Sequence, residues 1–164
     1  MNQEKQADLR NAATYILYRF QGELYGTPLH MVREVVPFQT PRSVPNTKKN
    51  YLGITHLRGE IVGVIDLRLC FQDEKSPSRR ASPRALIVVD SNSGVMAASV
   101  DTIEGVCQLD SKDIESPKGM PGSFASGGMI GIGKFRQGLA TLLDLRALCS
   151  AIDIATERKE RLAS

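Results

Sequence analysis

One stretch of this chain occurs twice. Laid over residues 131–149 at an offset of 78, residues 53–71 match Gly53 with Gly131, Ile54 with Ile132, Arg58 with Arg136, and Asp66-Leu67-Arg68 with Asp144-Leu145-Arg146. Six identities in nineteen pairs compare with about one expected from ordinary residue usage. A period this long is not that of a solenoid, so the duplication predicts two similar β subdomains of about five strands each.

Strand chemistry around the repeat supports that reading. Thr14 to Phe20 is rich in β-branched and aromatic residues, Gln21-Gly22-Glu23 offers a turn, and Leu24-Tyr25-Gly26 follows, which predicts a hairpin. Val32 to Val36 reads as a third strand that Pro37 stops. Pro37 to Asn50 reads as a long loop holding one helical turn. Gly53 to Arg58 and Ile61 to Ile65 flank a predicted Gly59-Glu60 turn. The second half repeats the plan: strands over Ala85–Asp90, Val95–Val100 and Thr102–Leu109, a loop over Ser111–Gly128, and a hairpin from Met129 to Leu143 turning at Gln137-Gly138. Short strands with frequent glycine turns favour closed barrels, because closure removes exposed edges.

The expected organisation is a flexible N-terminus (1–13) and a single domain (14–152). Its two β subdomains span about 14–72 and 84–145 around a polar linker (73–83), and a C-terminal helix with tail covers 145–164. Leu145, Leu148, Ile152 and Ala155 recur at helical spacing there. Met1 to Arg10 lacks the apolar core of a signal peptide. No run approaches the roughly 20 apolar residues of a membrane span. Cys70, Cys107 and Cys149 are odd in number and set in apolar strings, which fits buried thiols in a reducing compartment. These features read as a cytoplasmic protein.

Material for catalysis is sparse. The two histidines, His30 and His56, have no ligand partner at metal spacing, so neither a metal site nor a nucleophile–base pair is expected. Asp66 and Asp144 are equivalent positions of the duplication, which favours helix capping over a catalytic carboxylate pair. Gly128 to Lys134 spells the start of a phosphate-binding loop, but Phe135 stands where Ser or Thr must hold magnesium. No cofactor is expected. With 5% aromatic residues and no Trp, the chain also lacks the stacking platforms of a small-barrel nucleic-acid binder, despite a pI near 8.8.

The segment Tyr51 to Arg68, with its Leu57-Arg58-Gly59 turn and an apolar strand ending in Asp66-Leu67-Arg68, resembles the signature of the CheW family of chemosensory coupling proteins. The likeness extends over roughly Thr14 to Ile152 and takes in Glu23-Leu24-Tyr25-Gly26 and Val100 to Val106. It implies two five-stranded SH3-like barrels, short helical turns and no enzymatic activity. It also implies an adaptor role, coupling the regulatory domain of a CheA-type histidine kinase to the cytoplasmic tip of methyl-accepting chemoreceptors. Localisation would be cytoplasmic, at membrane-associated receptor arrays, with neither membrane insertion nor nucleic acid involved. By motif position, Leu29, Glu34 and Val35 would face the kinase, and Val32, Gly53 and Arg58 the receptor. His56 stands where the family usually has Asn and Gly63 where Pro is common, which leaves room for a paralogue serving pilus motility or development.

Overall fold

Gln21 and Gly22 both adopt positive φ (52° and 80°), and so do Arg58 and Gly59 (48° and 82°). Two successive left-handed residues form the mirror-image turn whose twist matches that of the flanking strands. Each such pair closes a hairpin: β1 (Ala12–Phe20) with β2 (Glu23–Pro28), and β4 (Tyr51–Leu57) with β5 (Glu60–Asp66). The second turn falls one residue earlier than expected because Glu60 already pairs with Leu57. Between the hairpins lie a 3-10 turn, Leu29–Met31, and β3 (Glu34–Pro37). The computed structural model describes residues 12–67, 82–92, 94–115 and 128–150.

The second half contributes β6 (Ala85–Ser91), β7 (Gly94–Val100), β8 (Thr102–Asp110), β9 (Ile114–Glu115), β10 (Met129–Phe135) and β11 (Gly138–Leu143). The β10–β11 hairpin turns at Arg136-Gln137, again one residue earlier than expected, and Gly138 opens β11 at φ 126°. Several local expectations differ from the structure. Ala12 and Ala13 are part of β1, paired with Asp110 and Leu109, instead of belonging to a flexible end. Residues 38–50 contain no helix; a single bridge from Arg42 to Ile54 organises them. The loop after β8 holds a 3-10 turn, Ser111–Asp113, whose first turn Asp110 caps, and then β9. Two-residue elements of this kind carry too little hydrophobic period to announce themselves. Most of the linker, and the chain beyond Ser150, lie outside the described residues.

Hydrogen bonding arranges the strands in two sheets, β8-β1-β2-β11-β10-β9 and β3-β6-β7-β5-β4. We call them sheets A and B. They do not follow the two halves of the sequence, as subdomains at 14–72 and 84–145 would require. The β1–β2 hairpin of the first half joins sheet A, otherwise built from the second half, and the β6–β7 hairpin joins sheet B. Each exchanged hairpin is held on one side by an antiparallel partner, β1 by β8 and β6 by β3, and on the other by a parallel one. Gly63 and Val64 pair with Met96 and Ala97, and Thr141 and Leu142, 78 residues on, pair with Tyr25 and Gly26. An offset reveals which residues are equivalent; it says nothing of which copy they pair with.

The equivalence is otherwise close. Bulges fall between Tyr51 and Gly53 and between Met129 and Gly131, and the Asp66 and Asp144 amides donate to the carbonyls of Asn50 and Gly128, each at 2.8 Å. Asp144 is a helix cap as expected: Oδ1 accepts from the Ala147 amide at 2.9 Å, and residues 145–150 are helical.

Three apolar clusters follow from the exchange. Tyr15, Leu17, Leu109 and Leu142 fill sheet A, and Leu57, Val62, Val64, Leu86 and Val88 fill sheet B. Between the sheets, Ile16, Tyr18, Phe20, Ile65, Ile87, Val89, Leu143, Leu145 and Leu148 form a shared core. Strands β1 and β6 therefore bury both faces, which is why they read as unbroken apolar runs. Inside the shared core the Tyr18 hydroxyl bonds to Thr27 Oγ1 at 2.9 Å, and that hydroxyl donates to the Leu143 carbonyl at 3.0 Å. Tyr25 stacks on Phe20 with ring centroids 3.8 Å apart, and burial pushes its phenol up to about 12.

Gly53 and Gly59 separate two reasons for needing glycine. A Cβ at Gly53 would collide with the Arg42 carbonyl at a φ of 140°, whereas at Gly59 (φ 82°) the space is open. Gly53→Ala should lower the unfolding free energy by about 2–4 kcal/mol, strain and overpacking together, and Gly59→Ala by about 1–2 kcal/mol, from the left-handed backbone alone. Urea denaturation of the two variants checks the difference; equal losses would contradict the assigned contact.

Candidate functional site

Among the described residues the large apolar side chains left exposed are Leu29, Val35, Ile61, Val106 and Leu139. Strand alternation explains Val35 and Val106, and a place at a hairpin tip explains Ile61 and Leu139. On edge strand β3, Val35 points outward (40% exposed) while Glu34 and Val36 are partly covered. Ile61 stands at the tip of the β4–β5 hairpin with two-thirds of its surface exposed. Leu29 projects from the 3-10 turn and lines an open groove with Ala13, Thr14 and His30.

Ion pairs hold the hairpin tip to the opposite edge of sheet B. Arg58, from the turn, meets Glu34 Oε2 of β3 at 3.1 Å, and Arg33 reaches Glu60 at 3.0 Å and Asp90 at 3.4 Å. Arg58 is 80% exposed and Glu34 22%. Such pairs add little stability individually, but here they fix the tip, with Ile61, relative to Val35.

The residues expected at the site therefore divide. Glu34 and Arg58, assigned to different partners by motif position, touch each other. Val35 is available to a partner. Val32 is half-buried and packs against the shared core. Gly53 is buried under Arg42, so its need for glycine is met inside the fold. Arg136, the sequence counterpart of Arg58, does not share the left-handed backbone, so the turn in sheet A is not a copy of this one.

Sequence reasoning missed Ile61, Val106 and Leu139. The signal was present: Ile61 and Leu139 are equivalent at the offset of 78, and both are about two-thirds exposed. Val35 and Val106 are likewise equivalent by place, opposite Ile87 of β6 and Ile16 of β1. Each sheet thus presents one edge valine and one hairpin-tip aliphatic residue.

Exposed apolar side chains thus recur at equivalent positions of the two sheets. The CheW-like domain family matches residues 14–153, and the chain belongs to that family. It is 25% identical to the chemotaxis protein CheW of Klebsiella aerogenes over 141 residues, covering 86% of this chain and 84% of that protein. To the chemotaxis protein CheW of Treponema pallidum it is 27% identical over 146 residues, 85% and 83% of the two chains. The crystal structure of the scaffolding protein TtCheW from Thermoanaerobacter tengcongensis superposes with a TM-score of 0.71 at 27% identity, covering 83% of this chain and 91% of that one. A strand-dominated, two-sheet architecture is common to both.

Because Arg58 is largely in solvent, Arg58→Ala should cost no more than about 1 kcal/mol of stability. Thermal unfolding measures this; a loss well beyond it would make Arg58 a structural residue.

Proposed function

We propose that this protein is a non-catalytic adaptor that couples chemoreceptors to a CheA-type histidine kinase in a bacterial chemosensory array. The observation that carries the reading is the exposed pair Val35 and Ile61, held around the Arg58–Glu34 ion pair where the β4–β5 tip meets edge strand β3, with Val106 and Leu139 at the equivalent positions of sheet A. An adaptor needs surfaces for both partners on a body that holds them in fixed relation, and the shared core supplies that body. The names of the related proteins, two in chemotaxis and one a scaffold, support the same role.

In this reading the kinase regulatory domain meets Leu29, Glu34 and Val35, joined by Ile61. The receptor tip meets Arg58 and the neighbourhood of Val32, with Gly53 holding the backbone beneath. Affinity comes from desolvating small apolar patches inside a polar rim. The protein acts in the cytoplasm, recruited to receptor arrays by its partners; a pilus-motility or developmental array would use the same surfaces.

The test is calorimetric titration with a kinase regulatory domain and with a receptor tip, separately and together. Val35→Glu and Ile61→Glu should each weaken kinase-domain binding at least tenfold, about 1.4 kcal/mol, with the melting temperature unchanged. Glu34→Arg with Arg58→Glu should restore what either reversal alone removes. No binding to either partner, or binding indifferent to these changes, would refute the reading.

A further inference from the structure

The two sheets match by place, but the charges around their exposed apolar pairs do not. Strands β4 and β5 fall on β10 and β11 at the offset of 78, since Gly63 pairs with Met96 as Thr141 pairs with Tyr25. Strands β1 and β2 fall on β6 and β7 at an offset of 71, since Arg19 pairs with Leu24 as Asp90 pairs with Val95. At the same step β3 falls on β8, with Val35 opposite Ile87 and Val106 opposite Ile16.

Around Val35 and Ile61 stand Arg33, Glu34, Arg58, Glu60 and Asp90, joined by the ion pairs described above. Their counterparts around Val106 and Leu139 are Glu104, Gly105, Arg136, Gly138 and Arg19. One ion pair is kept with its sign reversed: Arg33 meets Asp90 at 3.4 Å in sheet B, and Glu104 meets Arg19 at 2.9 Å in sheet A. Both glutamates of sheet B give way to glycine, and no described carboxylate pairs with Arg136. At these positions sheet B holds three carboxylates and two guanidinium groups, a net charge of −1, while sheet A holds one carboxylate and two guanidinium groups, a net charge of +1. The apolar centres could not be told apart on their own, because Val35 and Val106 are the same side chain and Ile61 and Leu139 are isomers. Setting like charges against each other in a closing interface is an effective way to reject a wrong pose.

We propose that this reversal confines the kinase domain to sheet B: Arg33 and Asp90 select it there, and Glu104 and Arg19 keep it off the equivalent apolar pair of sheet A. The inference rests on the kinase reading of the Val35–Ile61 surface. A partner complementary to sheet B brings a carboxylate toward Arg33 and a cation toward Asp90 and Glu60. Docked in the same pose on sheet A, its carboxylate meets Glu104 and its cation meets Arg19. The four charged residues are thus specificity-determining, and the apolar side chains supply adhesion common to both sheets.

The experiment titrates a kinase regulatory domain into the full chain by calorimetry, using two double variants that leave the net charge and the four apolar side chains unchanged. Arg33→Glu with Asp90→Arg gives sheet B the sign of sheet A and should weaken binding at least tenfold. That loss should shrink at least threefold between 50 and 500 mM salt, because exposed charges are screened. Arg19→Asp with Glu104→Arg gives sheet A the sign of sheet B and should raise the stoichiometry from one kinase domain per chain to two. Reversal at position 33 also removes the pair to Glu60, so the second variant, which touches nothing on sheet B, separates selection from positioning of the hairpin tip. Circular dichroism establishes that each variant is folded, and where one is not, the other decides. A wild-type chain that binds two kinase domains, an affinity unmoved by the first exchange, or a stoichiometry that stays at one after the second would overturn this inference and leave the kinase reading standing. No binding by the wild-type chain would end both.

Discussion

The fold rests on four pairings between the two halves of the sequence: the parallel pairs β2 with β11 and β5 with β7, and the antiparallel pairs β1 with β8 and β3 with β6. Through them each sheet receives a hairpin from the other half of the sequence, and the apolar faces of β1, β5 and β6 are turned both into their own sheet and toward the neighbouring one. The shared core that results is continuous across the sheets. Neither half could bury its apolar strands alone, so the two sheets form one folding unit even though the sequence looks like two copies of one module.

Much of this was legible before the structure, and for identifiable reasons. The hairpins announced themselves because Gln21-Gly22-Glu23 and Gly59-Glu60 are turn chemistry between apolar runs, even though the second turn closes one residue earlier, and Asp144 was readable as a cap from its place before a helical period. The exchange of hairpins was not legible. Pairing is a long-range choice, and the same side chains would satisfy either a within-half or a between-half sheet. The Arg42 bridge and β9 were missed because one or two residues in extended form have no period to detect.

The surface divided in the same way. Motif resemblance singled out Glu34, Val35 and Arg58, which the structure brings together where the β4–β5 turn meets edge strand β3. It also singled out Gly53, whose constraint is internal: it sits in a bulge under a carbonyl, and the adjacent surface inherits only the consequence. Ile61 was overlooked because an isoleucine in an apolar strand is ordinarily core. Only the pairing shows that it lies at the tip, beyond the last layer that closes over the sheet.

The unequal hairpin turns carry a further meaning. Arg58 accepts a left-handed backbone in sheet B, while in sheet A the strain is handed to Gly138 and Arg136 is spared. Two halves of matching plan thus reverse direction in different ways at corresponding corners. A chain built from duplicated parts is free to diversify at its extremities while its interior stays under joint constraint, so related sequences should differ more at these corners than along the strands that cross between the sheets.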